Sequence, residues 1–95
     1  MDFLELFDAC VRENKPRLDK YIKPTTLDVT LKEEDIGLDS LDVTLTLVMI
    51  SDIYGIPEAD DFDIPVGSLR EVQEYMLNNK NKDFDSVEAA MESVT

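Results

Sequence analysis

Residues 41–54, Leu-Asp-Val-Thr-Leu-Thr-Leu-Val-Met-Ile-Ser-Asp-Ile-Tyr, are mostly apolar, so any fold open to this chain must bury at least one side of them. Over 43–47 the apolar residues alternate with period two and are rich in β-branched types, which favours a strand. The alternation then fails, because residues 47–50 are four apolar residues running. The length also exceeds that of a usual strand. Read as a helix turning about 100° per residue, the stretch brings Val43, Leu47, Ile50 and Tyr54 together as a core face. Leu41, Leu45, Val48 and Met49 gather on a second side, next to Ser40. A helix apolar on two sides is either buried on both or keeps one for binding.

The rest of the chain reads more simply. Apolar residues at 3, 4, 6, 7, 10 and 11 keep helical spacing, with Asp2 and Glu5 in the first turn, so a first helix is expected to end near Asn14-Lys15, ahead of Pro16. Pro16 suits the opening of a short helical turn through Leu18, Tyr21 and Ile22, broken by Pro24. Residues 27–38 read as a long loop pinned by Leu27, Val29, Leu31 and Ile36. After Gly55-Ile56-Pro57, residues 58–63 are expected to hold a short turn or helix. Ser68-Leu69-Arg70-Glu71 is a capping-box pattern opening a helix with Leu69, Val72 and Met76 as its buried stripe and Tyr75 beside it. Residues 78–82 read as a linker. Beyond it Phe84, Val87, Met91 and Val94 recur at helical intervals with Ala90 on the same side, which leaves two readings, a frayed tail or an extra helix.

Composition narrows the chemistry. At 95 residues the chain is one domain with one core, and no stretch of about 18 apolar residues is present to cross a membrane. Met1-Asp2-Phe3-Leu4-Glu5 has acids where a signal peptide needs bases, and the single Cys10 has no intrachain partner; a reducing cytoplasm is the expectation. The absence of His excludes Ser-His and Cys-His nucleophiles and His-ligated metals. Cys10 shares a helical run with Phe3, Phe7 and Val11 and reads as a core thiol. Glu58, Asp60, Asp61 and Asp63 lack the ligand alternation, turn glycine and closing Glu of a calcium loop, and read as solvated acids. The net charge of −13 argues against nucleic acid or an anionic membrane as partner. Residues 1–32 are neutral, with six acids and six bases, whereas residues 33–75 hold twelve acids and one base. The acid surplus thus surrounds Ser40 and the segments C-terminal to it, and suits partners with basic docking patches.

Ser40 lies in Asp39-Ser40-Leu41, preceded by Ile36-Gly37-Leu38. If a helix begins at or beside it, a phosphate ester on its hydroxyl would meet unpaired backbone N–H groups and the positive end of the dipole; the plainer reading is a serine N-cap. Through the stretch Asp35-Ile36-Gly37-Leu38-Asp39-Ser40-Leu41-Asp42, with Ile50, Tyr54, Val72 and Tyr75 where large apolar core residues are expected, the chain resembles an acyl carrier protein. The resemblance spans roughly residues 3–79 and decides the 41–54 stretch in favour of a helix. It implies an all-α bundle of three main helices plus a short one, with a long loop before the serine-bearing helix. Residues 1–79 would form the carrier domain, and 80–95 an extension beyond its usual end.

The resemblance also implies a function. Ser40 would carry 4′-phosphopantetheine, derived from coenzyme A, whose thiol holds an acyl group as a thioester; the protein itself would be a non-catalytic, monomeric carrier. Asp39, Leu41 and Asp42 would meet the phosphopantetheinyl transferase and the acyl-loading, acyl-transferring or condensing enzymes, with Leu45, Val48, Met49 and Asp52 on the same side. Val43, Leu47, Ile50, Val72 and Met76 would line the core that receives a short acyl chain. The chain departs from the housekeeping pattern where Leu45, Ser51 and Ile53 replace acids. That departure points to a dedicated lipid, polyketide or secondary-metabolite pathway and to a greasier partner surface. An aminoacyl or peptidyl carrier, and an unmodified interaction module on the same fold, remain the alternatives.

Overall fold

A computed structural model describes residues 1–14, 19–57 and 64–95. Among the described residues five helices follow one another in the order α1 (Phe3–Asn14), α2 (Glu33–Ile36), α3 (Ser40–Ile53), α4 (Leu69–Asn79) and α5 (Val87–Glu92). No strand forms among the described residues; the one pairing of that kind is an isolated antiparallel bridge between Thr30 and Ser68. The architecture is all-α, and the strand-like alternation at 43–47 is overridden. Within α3 the threonine hydroxyls turn back onto the helix, Thr44 donating to the Ser40 carbonyl and Thr46 to that of Asp42, both at 2.8 Å. Thr46 can therefore be buried without losing a hydrogen bond.

Helix α1 opens on Asp2, whose carboxylate accepts the Leu4 N–H at 2.9 Å, and buries Phe3, Leu6, Phe7, Cys10 and Val11. It packs against both α3 and α5. Val43, Leu47, Ile50 and Tyr54 all lie in the core, joined by Leu69, Val72 and Met76 from α4. Ser68 caps α4 by accepting the Glu71 N–H at 3.3 Å, as the capping-box pattern leads one to expect. The segment before α2 is tied to the start of α4 by three backbone bonds, from Leu31 to Gly67, Leu69 to Val29 and Arg70 to Leu27.

Several expectations need correcting. Residues 19–22 are not helical: the Ile22 N–H donates to the Ile36 carbonyl at 3.0 Å, and the Tyr21 hydroxyl donates to Asp8 of α1 at 2.8 Å, so tertiary bonds rather than a local helical turn fix this segment. Residues 15–18, where the turn was expected to begin, lie outside the described residues, as does the acidic segment 58–63. The long loop at 27–38 is interrupted by α2, whose acids Glu33, Glu34 and Asp35 suit a helix start and whose end is closed by Gly37 at φ 73°. Ser51 and Ile53 are fully buried, so of Leu45, Ser51 and Ile53 only Leu45 is exposed.

The tail forms a helix. Ser86 caps α5 by accepting the Ala89 N–H at 3.1 Å, and Ala90 is buried in the common core with Phe84, Val87, Met91 and Val94 packed around it. Residues 81 and 82 are not a free linker: both of their N–H groups donate to the Tyr54 carbonyl, and the Asn81 amide donates to that of Gly55 at 3.0 Å. The tail thus joins the end of α3 to the flank of α1, where the Cys10 thiol meets the Met91 sulfur at 3.7 Å. It does not cover Leu45, which is 44% exposed with the tail in place.

Candidate functional site

The turn leading into α3 is set by contacts far away in sequence. Gly37 adopts a left-handed conformation, and a Cβ there would overlap the Lys20 carbonyl and stand 2.9 Å from the Tyr21 Cα. Only glycine allows this approach. The turn sends Leu38 into the core and leaves Asp39 extended, with its carboxylate accepting the Asp42 N–H at 2.8 Å. Asp39, rather than Ser40, is therefore the N-cap of α3.

Ser40 is the first residue of the helix, exposed, and its hydroxyl has no hydrogen-bond partner among the described residues. Because its side chain does no capping, the plainer reading of this serine loses its basis. Asp42 and Val43 donate to Asp39, whereas the N–H groups of Ser40 and Leu41 have no protein acceptor among the described residues. An open depression of about 490 Å³ runs beside Ser40, lined by Leu31, Lys32, Glu33, Glu34, Leu38 and Asp39. An exposed hydroxyl next to unbonded amides and open space can accept a bulky phosphoester without displacing any side chain.

The neighbouring surface of α3 is a narrow apolar strip. Leu41 is 64% exposed and Leu45 44%, with Thr44 and Asp52 exposed alongside. Val48 and Met49 are only half-buried or better, and Met49 packs on the core with the Asn14 amide 3.8 Å from its sulfur, so the second face is narrower than sequence spacing implies. Val43, Leu47, Ile50, Val72 and Met76 come together in one core beneath this helix. Cys10 lies in the same core, and burial pushes its thiol up to about 12, so it stays protonated and unreactive. Among the described residues no group of three or more acids, cysteines or histidines is arranged to hold a metal ion; Glu58, Asp60, Asp61 and Asp63 lie outside them.

Lys32, Leu31 and Leu38 border Ser40 without having stood out as site residues in the sequence. One signal was available for Lys32, which is the only basic residue between Lys23 and Arg70. Against protein-family models, curated proteins and solved structures, the chain finds no match.

Proposed function

We propose that this protein is an acyl carrier whose Ser40 hydroxyl bears a 4′-phosphopantetheine arm. The observation that carries this reading is an exposed serine in an Asp-Ser-Leu sequence, at the first turn of α3, whose hydroxyl is not used for capping because Asp39 already serves there. Attachment requires the Ser40 oxygen to bond to the β-phosphorus of coenzyme A. The bond from that phosphorus to the bridging oxygen of the departing adenosine 3′,5′-bisphosphate breaks, and the serine proton passes to a base of the transferase. When attached, the arm supplies a terminal thiol that holds an acyl group as a thioester. The protein's own contribution is position and recognition.

Leu41 and Leu45 offer partner enzymes an apolar strip, with Asp42 and Asp52 along it and Asp39 at its head. Such a strip suits enzymes of a dedicated pathway that present an apolar socket with basic residues at its rim. Val43, Leu47, Ile50, Val72 and Met76 form the apolar layer into which a short acyl chain would fold. Incubation with coenzyme A and a broad-specificity phosphopantetheinyl transferase tests the reading, which requires a single adduct at Ser40.

A further inference from the structure

The site around Ser40 is acidic. Glu33, Glu34 and Asp39 line the depression, Asp35 and Asp42 are close in sequence on either side, and a phosphodiester at Ser40 adds one more negative charge. Like charges gathered at one exposed site repel, and a cation within a few ångströms is the direct remedy. The depression contains one cation, Lys32, on the wall that it shares with Ser40. Its ammonium has no carboxylate partner among the described residues, a state it shares with Lys20 and Lys82, neither of which lines the depression, whereas Arg12, Lys23, Arg70 and Lys80 each pair with an acid. Lys32 also sits at the N-cap of α2, makes no capping bond, and so stands at the helix end where a cation is least favoured. Neither a local ion pair nor helix capping accounts for a lone base in an otherwise acidic stretch.

We infer that Lys32 is a binding residue for the phosphodiester of the Ser40 arm, holding the first segment of the arm against the Leu31–Leu38 wall of the depression. The inference rests on the carrier reading and adds to it the group that offsets the new charge. Because lysine acts here as a flexible point charge, arginine at the same position should substitute for it in large part.

The test uses full-length protein in unmodified and fully modified forms, with the state of Ser40 established by intact mass. Lysine side-chain carbon resonances, recorded at one pH, report the surroundings of each ammonium. Modification should shift the Lys32 ε-carbon resonance, since an anion arrives beside its ammonium, and leave those of Lys80 and Lys82 unmoved. The phosphorus resonance of modified protein should shift in Lys32→Met, return towards the original position in Lys32→Arg, and stay unchanged in Lys82→Met. Unmodified Lys32→Met should give the wild-type amide spectrum, which excludes misfolding as the cause. If Ser40 is fully modified and the Lys32 resonances stay where they were, with a phosphorus resonance indifferent to Lys32→Met, the inference is overturned and the carrier reading stands. If Ser40 cannot be modified at all, both fall together.

Discussion

Gly37→Ala should be the most damaging of the three glycine-to-alanine changes, and its cost can be worked from local geometry. Holding alanine at φ 73° costs about 1–2 kcal/mol. The new Cβ would overlap the Lys20 carbonyl, so the segment carrying Lys20 and Tyr21 must retreat. That retreat breaks the 3.0 Å bond from the Ile22 N–H to the Ile36 carbonyl, worth about 1 kcal/mol, and loosens the Tyr21 hydroxyl from Asp8. The total is about 2–4 kcal/mol, against an overall stability of about 5–14 kcal/mol for a chain of this length. With a urea m-value of about 1.5 kcal/mol/M, the unfolding midpoint should fall by about 1.3–2.7 M. Two controls bracket the claim. Gly55 also has positive φ, but its Cβ would meet only the flexible Lys82 and Asn81 side chains, so Gly55→Ala should cost about 1–2 kcal/mol. At Gly67 the backbone is ordinary and the neighbour is the movable Glu71 carboxylate, so Gly67→Ala should be close to neutral. A Gly37→Ala protein within about 0.5 kcal/mol of wild type, or an inverted order of the three, would refute the account of this turn.

Leu45→Glu should lower stability by no more than about 1–1.5 kcal/mol, because 44% of the side chain is already in water. Docking of a cognate loading enzyme can bury only that exposed part, worth about 0.7–1.3 kcal/mol, and the substitution also forces a carboxylate out of water. Kinetic loading assays should show a loss of about tenfold or more, a smaller loss for Asp52→Asn, and only modest dependence on salt; equal rates for Leu45→Glu and wild type would remove the docking role of the strip. Deleting residues 81–95 should uncover Cys10 and the α1 flank, cost on the order of 2–4 kcal/mol, and raise apolar-dye fluorescence. Unchanged urea unfolding of the truncated chain would contradict the packing of α5. Alkali should destabilise the fold. The Cys10 thiol is raised from 9.0 to about 12 in the folded state, and Tyr21 and Tyr54 are also raised, chiefly by burial. From about pH 9 upward the unfolded chain loses the Cys10 proton first, so stability held below that pH is lost as pH rises towards 12, by about 1.4 kcal/mol per unit for the thiol, and the two tyrosines add to the loss from about pH 10. Urea midpoints at pH 8, 9 and 10 should fall in that order, with a shallower slope in Cys10→Ala; a flat profile would contradict the burial of these groups.

Much of the helical framework was legible because long amphipathic segments announce themselves. The spacing of Phe3, Leu6, Phe7 and Cys10, and of Leu69, Val72 and Met76, marked α1 and α4, and Ser68 with Glu71 marked where α4 starts. Helix α2 was missed because four residues carry no periodicity. Residues 19–22 were misread because the groups that fix them, the carbonyl of Ile36 and the carboxylate of Asp8, are remote in sequence. Along α3, two apolar sides were evident, but hydropathy could not tell that Ser51 and Ile53 turn inward while Leu41 and Leu45 stay out. Ser40 stood out from its sequence setting; that Asp39 takes the cap, and that Lys32 shares its depression, are facts of geometry.

The location of the modified residue tests the carrier proposal most directly. Protein co-expressed with a broad-specificity phosphopantetheinyl transferase, digested with trypsin, should release residues 33–70 as one peptide carrying Ser40 together with Thr44, Thr46, Ser51 and Ser68. Fragmentation should place one phosphopantetheine on Ser40, and Ser40→Ala should abolish it while retaining the wild-type helical circular dichroism. An adduct that persists in Ser40→Ala, one that maps to another hydroxyl, or an unmodified chain with every transferase would contradict the proposal.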